Sequence, residues 1–164
     1  WTLFSAMENH YNLIYREDER ELIPICKQMN VSLMPYSPLA AGHLARAEWK
    51  SDSIRGTTDR VAMGKYDRME KHDILVVKRV QELADKYQCK MSQIAIAWQW
   101  AKGIASPIIG ATKAQYLDDA AGALDIKLTS EDIDYLEELY VPHAIVGAID
   151  KNPEQGVVLL DEKK

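Results

Sequence analysis

Apolar positions along this chain recur in two rhythms. Short runs with strand character cover Leu3 to Glu8, Val31 to Tyr36 and Ile104 to Ile109, each ending in polar or turn-forming residues. Between them the apolar residues step by three and four. Leu22, Ile23, Cys26 and Met29 share one face of a helix predicted from Arg16 to Met29. Pro24 weakens that helix unless it lies in the first turn. Ile74, Val77, Val80, Leu83, Ala84 and Tyr87 line a second helix over 71–87. Ser92 reads as the cap of a third, running to about Ala101 with Ala95, Trp98 and Gln99 near one line. A short helix is expected over 114–122, and Thr129 or Ser130 caps another that ends near Tyr140. Residues 40–68 carry no clean period. Gly42, Gly56 and Gly64 point there to a long ordered loop, a length uncommon unless functional. From Val141 the pattern is lost, and Pro142, Gly147, Pro153 and Gly156 suit an extended tail.

Strands alternating with helices argue for an α/β protein with a parallel sheet and outer helices. Three strands are few for a parallel sheet covered on both faces, so the chain reads as part of a larger fold. The first residues, Trp1-Thr2-Leu3-Phe4, read the same way. The 164 residues are 47% hydrophobic and 27% charged, an ordinary soluble composition, and the net charge of -5 argues against nucleic acid or an anionic membrane as partner. Cys26 and Cys89 are far apart and read as reduced thiols of a cytoplasmic protein. His10, His43, His72 and His143 show no metal-ligand spacing. Trp49, Trp98 and Trp100 read as packing residues.

Two segments carry the candidate chemistry. Met34-Pro35-Tyr36-Ser37-Pro38-Leu39-Ala40-Ala41-Gly42-His43-Leu44 and Ser106-Pro107-Ile108-Ile109-Gly110-Ala111-Thr112-Lys113 each pass from an apolar run into small, turn-forming, hydroxyl-bearing residues. A strand that ends this way at a loop suits a bound phosphate, and hence a nucleotide cofactor.

These segments, with Gln93-Ile94-Ala95-Ile96-Ala97-Trp98 and Ala123-Leu124-Asp125-Ile126-Lys127-Leu128-Thr129, resemble the C-terminal half of an aldo-keto reductase over about residues 3–147. The resemblance implies a partial (β/α)8 TIM barrel: strands six to eight with outer helices over 1–147, and a C-terminal tail over 148–164. It implies NADP(H) as cofactor and hydride transfer to an aldehyde or ketone. Tyr140-Val141-Pro142-His143 resembles bacterial and fungal members with an open cofactor loop.

Residue by residue, the resemblance places Tyr36 against the nicotinamide. Ser37, Pro38, Leu39, Gly42 and Leu44 belong to the pyrophosphate loop. Gly110, Ala111 and Thr112 open the helix under the adenosine phosphate. Lys113 and Arg55 are the candidate cations for phosphate or adenine, and Asp119 matches an acidic residue facing the adenine amine. Two positions depart from the pattern. Glu8 stands where the family usually has Gln for the nicotinamide amide, and an ionised carboxylate accepts but cannot donate. Tyr116 stands where many members place Arg for the ribose 2′-phosphate, which leaves the preference for NADP over NAD open.

The family's catalytic Asp, Tyr, Lys and His come from its first strands, and no segment here resembles those motifs. The expectation is therefore a cofactor-cradling half that is inactive alone and meets a carbonyl substrate only with the missing half. Its partner would be a second copy or a complementary half-barrel chain. The competing reading is a non-catalytic nucleotide-binding or interaction module, or a truncated product without function. Bland readings stand beside the sharp ones. Arg55 and Arg60 read more readily as solvated loop charges than as phosphate ligands, Lys113 suits either role, and Asp118 is explained by the helix dipole. Leu33, Pro35 and Ile108 are predicted to point into the half-open barrel and meet water, giving marginal stability or oligomerisation.

Overall fold

The computed structural model describes residues 2–50 and 57–146. Two short strands, β1 (Ala6–Met7) and β2 (Ser32–Leu33), pair in parallel, Ala6 against Ser32 and Met7 against Leu33. The ladder continues past their ends as single bridges. His10 pairs with Tyr36, and Tyr36 pairs with Ile108. Ile108 N–H donates to the Pro35 carbonyl at 2.8 Å, so the third segment joins the free edge of the second. Two of the three predicted strands thus form among the described residues, shorter than expected, and the third, over 104–109, is reduced to a single parallel bridge at Ile108.

Alternation along β2 corrects the expected facing. Leu33 is buried and so is Pro35, whereas Ser32 and Met34 are exposed. Leu33 and Pro35 turn toward the helices. Only Ile108, of the three residues expected to meet water, is exposed on the open side. Leu3 and Phe4 are 84% and 85% exposed at the entrance to the same ladder.

Helix α1 (Leu22–Gln28) joins β1 to β2. It does not begin at Arg16. Residues Glu17–Glu19 form a 3-10 turn, because the ring of Pro24 would strike the carbonyl four residues back and a regular helix cannot run through Arg20. Pro24 sits in the first turn, where its missing N–H costs nothing. Ile23 and Cys26 are buried, but Met29 falls beyond the last helical residue and is exposed.

The stretch read as a loop over 40–68 is largely helical in its described parts. A 3-10 segment, Ala40–Ala45, is broken by left-handed Ala41 and Gly42. Helix α2 (Arg60–Tyr66) follows, started by Asp59, whose Oδ1 accepts from Ala62 N–H at 2.9 Å. The sequence pattern misses α2 because only seven residues carry it.

Helix α3 (Glu70–Tyr87) buries Val76, Val77, Val80, Leu83 and Ala84. Helix α4 (Met91–Ala101) is buried at six consecutive positions, Ile94 to Gln99, and so lies at the centre of the packing. Its cap is Lys90 rather than Ser92. The Lys90 N–H donates to Gln93 Oε1 at 3.0 Å, and Lys90 is still extended while Met91 is already helical. Helix α5 (Ala114–Gly122) has no fully buried residue. Helix α6 (Ser130–Glu137) is capped by Thr129, not Ser130. Thr129 Oγ1 accepts from Asp132 N–H at 3.2 Å, and Asp132 Oδ2 accepts from Thr129 N–H at 3.1 Å. No described helix is long and apolar enough to cross a membrane.

A half-buried polar joint ties α6 to the rest. Glu137 accepts from Arg16 Nη2 at 2.6 Å, from Trp98 Nε1 at 2.8 Å and from Lys102 Nζ. The expected tail from Val141 begins as an ordered strap, with His143 buried. Residues 148–164 lie outside the described ones.

Candidate functional site

The carboxyl ends of the three ladder segments meet at one place. Ser37, directly after Tyr36, has φ 58°, and Ala40, Ala41 and Gly42 have φ 48°, 54° and 98°. Four left-handed residues in six, only one of them glycine, is a strained turn, and such turns persist where the surroundings over-determine them, often at ligand clamps. Leu44 anchors the loop from below, fully buried in the core.

Helix α2 stands over this loop. Its Tyr66 hydroxyl lies 2.9 Å from Ser37 Oγ, 2.7 Å from His10 Nε2 and 3.2 Å from Asn12 Nδ2. Asn12 Nδ2 also donates to the Ser37 carbonyl at 2.9 Å. The ends of the first two ladder segments, the loop and α2 are therefore joined through one phenol. Burial pushes Tyr66 up to about 12, against the opposing hydrogen bonds of Ser37 and Asn12, so it is a neutral donor and acceptor at neutral pH. Burial, then the Lys65 charge, takes His10 down to about 3, so its ring is neutral. That ring stacks on Tyr15 at 4.2 Å and on Tyr36 at 5.0 Å, which holds the Tyr36 ring in place from the core side.

Two clefts flank the loop. The first, about 470 Å³, is lined by Tyr36, Ser37, Pro38, Leu39 and Gly42 on one side and by Val61, Ala62 and Lys65 of α2 on the other. The second, about 410 Å³, is lined by Lys90, Ser92, Gln115, Tyr116 and Asp119. Leu39, Ile109 and Gly110 line both, so the clefts adjoin along one wall.

Seven candidates from the first segment and the helix, Tyr36, Ser37, Pro38, Leu39, Gly42, Tyr116 and Asp119, line these clefts together with Gly110. Others stand apart. Glu8 is exposed at the end of β1 and lines neither cleft. Ala111 and Thr112 are exposed beside Gly110. Lys113 takes the cap position of α5, its Nζ 5.9 Å from the Tyr116 ring centre. Arg55 lies outside the described residues. Asp119 is already paired, with both oxygens 2.6 and 2.7 Å from Lys90 Nζ. Asp118 is exposed.

Sequence reasoning missed Lys65, Tyr66, His10 and Asn12. A faint signal existed for the first two. Val61, Ala62, Lys65 and Tyr66 fall on one helical face behind Asp59, a favoured cap. No local signal marks the bonds of His10 and Asn12 to Tyr66, which lies 54 or more positions away.

An aromatic ring at one end, a strained turn with a hydroxyl in the middle and a polar helix start at the other suit an elongated, partly anionic ligand with a flat ring. The profile of the Aldo/keto reductase family matches residues 1–141. The chain is 43% identical over 146 residues to the versiconal hemiacetal acetate reductase of Aspergillus parasiticus, covering 88% of this chain and 43% of that one. It is 43% identical over 153 residues to a putative aryl-alcohol dehydrogenase of Schizosaccharomyces pombe, covering 91% of this chain and 42% of the other. An aldo-keto reductase of Fusarium vanettenii is 43% identical over 148 residues, covering 90% and 40%. The chain thus spans less than half the length of these relatives. A crystal structure of the thermostable aldo-keto reductase Tm1743 superposes with a TM-score of 0.59 at 24% identity, over 82% of this chain and 39% of that one, which shows the fold. The chain belongs to the aldo/keto reductase family.

Proposed function

We propose that this chain is the cofactor-holding half of an NADP(H)-dependent carbonyl reductase, a partial (β/α)8 barrel carrying strands six to eight. The observation that carries this reading is the pair of adjoining clefts, which run from Tyr36 past the strained Ser37–Gly42 turn and Gly110 to Tyr116 and Asp119. Their length and chemistry fit a dinucleotide laid across them.

In this reading the cofactor supplies a hydride to an aldehyde or ketone carbon. Tyr36, braced by His10, offers a flat face for the nicotinamide. Ser37, Pro38, Leu39 and Gly42 line the pyrophosphate, with Leu44 holding the turn from the core. Gly110, Ala111 and Thr112, with Lys113, receive the adenosine phosphate. Tyr116 and Asp119 bound the adenine end, and the Lys90 partner reduces the Asp119 charge that a 2′-phosphate would meet. Glu8 and Arg55 keep the roles the family pattern assigns them, toward the nicotinamide amide and a phosphate.

Carbonyl protonation needs an acid within hydrogen-bond reach of the oxygen. No segment of this chain resembles the family's Asp, Tyr, Lys and His motifs, and Tyr66 is spent on His10, Ser37 and Asn12. That step belongs to residues outside the chain. The open ladder face with Met34 and Ile108 is where a complementary half-barrel would close. The free thiols Cys26 and Cys89 suit a reducing, cytoplasmic setting.

Titration of the 164-residue chain with NADPH and with NADH, followed by fluorescence, tests the reading. Saturable binding without aldehyde turnover is the expected result. A folded chain that binds neither nucleotide overturns the cradle, and turnover by the pure chain overturns the division of labour.

A further inference from the structure

Helix α2 presents one cation to the first cleft. Its N-terminus is fixed by Asp59 and its C-terminus by Tyr66, whose hydroxyl is held by Ser37, His10 and Asn12. Lys65, one residue before that anchor, lines the cleft opposite Ser37 and Gly42. Its Nζ stands 4.9 Å from the centre of the Tyr36 ring. No carboxylate among the described residues forms an ion pair with it, whereas Lys90 and Lys102 are both paired. Arg46, the other cation near the turn, is committed to three backbone carbonyls, those of Gly42, Glu48 and Trp49. Lys113 lines neither cleft. Asp59 is the acidic residue on the same cleft, and its Oδ1 is engaged at the start of α2.

We propose that Lys65 binds the diphosphate of the dinucleotide, reaching across the first cleft from α2 to the Ser37–Gly42 turn. The proposal rests on the cradle reading above and adds a cation at the first cleft, beside the Ser37–Gly42 turn. An ammonium on a four-carbon stem is a mobile point charge. In the free protein it rests on the Tyr36 π-face, a weak site for a cation at a partly exposed position. A diphosphate beside Ser37 offers a charge-assisted hydrogen bond, which is stronger. Lys65 then leaves the Tyr36 ring, and the vacated face becomes available to a flat ring. One movement would thus couple phosphate capture to exposure of the stacking surface.

Lys65→Gln and Lys65→Arg are compared with the parent chain by titration with NADPH, NADH and ADP-ribose, with far-UV circular dichroism to confirm folding. The expected result is weakening of all three ligands by Lys65→Gln to a similar degree, about tenfold, with a shallower ionic-strength dependence and retention by Lys65→Arg. Unchanged binding of all three by Lys65→Gln overturns the role of Lys65 and leaves the cradle standing. Weakening of NADPH alone assigns Lys65 to the 2′-phosphate, and weakening that spares ADP-ribose assigns it to the nicotinamide end. Either outcome overturns the diphosphate assignment. A parent chain that binds none of the three overturns the cradle and this proposal together.

Discussion

His143 and Asp73, 70 positions apart, bury their side chains against each other, with Nε2 2.9 Å from Oδ2 and each about 2% exposed. The contact pins the strap after α6 onto α3. Glu17 completes the joint, its Oε1 accepting from His143 N–H at 2.7 Å and from the Tyr140 hydroxyl at 2.9 Å. Burial opposes the charged imidazolium, but the Asp73 hydrogen bond and charge outweigh it and hold His143 above its usual value. Burial also pushes the Asp73 carboxyl up, with His143 only partly offsetting it.

Both raised values have one sign. The folded state binds protons more readily, so the stability that His143 contributes is complete below its unfolded value of about 6.5 and is lost as pH rises through the folded value. His143→Gln should therefore destabilise the chain by about 3 kcal/mol at pH 6. The gap to the parent should narrow at pH 9. Thermal unfolding at the two pH values measures it, and a gap that widens with pH refutes the pairing.

His10 and His43 act in the opposite sense. Burial, then the Lys65 charge, takes His10 down to about 3, and burial, then the Arg46 charge, takes His43 down to about 4. A depressed value means stability is present above about 6.5 and is lost as pH falls toward the folded value. Denaturant midpoints followed from pH 7 to pH 4 should fall. His43→Phe, which keeps a ring against Trp49, should fall less steeply.

Tyr66→Phe removes the phenol that joins His10, Asn12 and Ser37. Asn12 keeps its bond to the Ser37 carbonyl, so the expected loss is about 1–3 kcal/mol rather than collapse. Urea unfolding measures this loss. Because α2 then loses its tie to the turn, protection of the 37–45 backbone from hydrogen exchange should drop more than that of α4.

Three glycines separate conformational need from free space. Gly42 has φ 98°, and a Cβ there would meet Arg46 Nη1 at 2.8 Å, so Gly42→Ala should cost about 1 kcal/mol or more. A Cβ on Gly122 would come within 2.5 Å of Gln93 Nε2 and displace the side chain that receives the Lys90 N–H at the start of α4. Gly64, inside α2, meets nothing within 4 Å. Gly64→Ala should stabilise by up to about 1 kcal/mol. Thermal midpoints should rank Gly64→Ala above the parent and both other variants below it.

Glu137→Ala would leave Trp98 Nε1 without its acceptor and leave Arg16 and Lys102 with Glu19 as their remaining carboxylate. The Glu19 carboxylate still balances the cations, so the main loss is the hydrogen bond to the buried Trp98 indole and one arm of the ion-pair network. The expected loss is about 1–3 kcal/mol in equilibrium unfolding. Glu137→Gln should lose less, since its amide oxygen still accepts.

The sequence by itself determined the parallel α/β order, the helices over 70–87, 91–101, 114–122 and 130–137 to within a few residues, and the turn after Tyr36. Each of these rests on local physics: three- and four-residue apolar steps, caps, and turn-forming residues at strand ends. The family followed from the same loops. Tertiary structure alone decided the rest. Leu33 and Pro35 turn toward the helices because the pleat alternates, and local sequence does not say which side the helices take. Met29 is released because Pro24 and the 3-10 turn set where α1 begins and ends. Lys65, Tyr66, His10 and Asn12 come together only when α2 folds back over the strand ends, through bonds spanning 29 to 56 positions. A seven-residue helix has no period strong enough to announce itself, and a hydrogen bond between distant residues leaves no mark in either neighbourhood. The candidate cleft was therefore legible on the wall built by consecutive residues and invisible on the wall built by return of the chain.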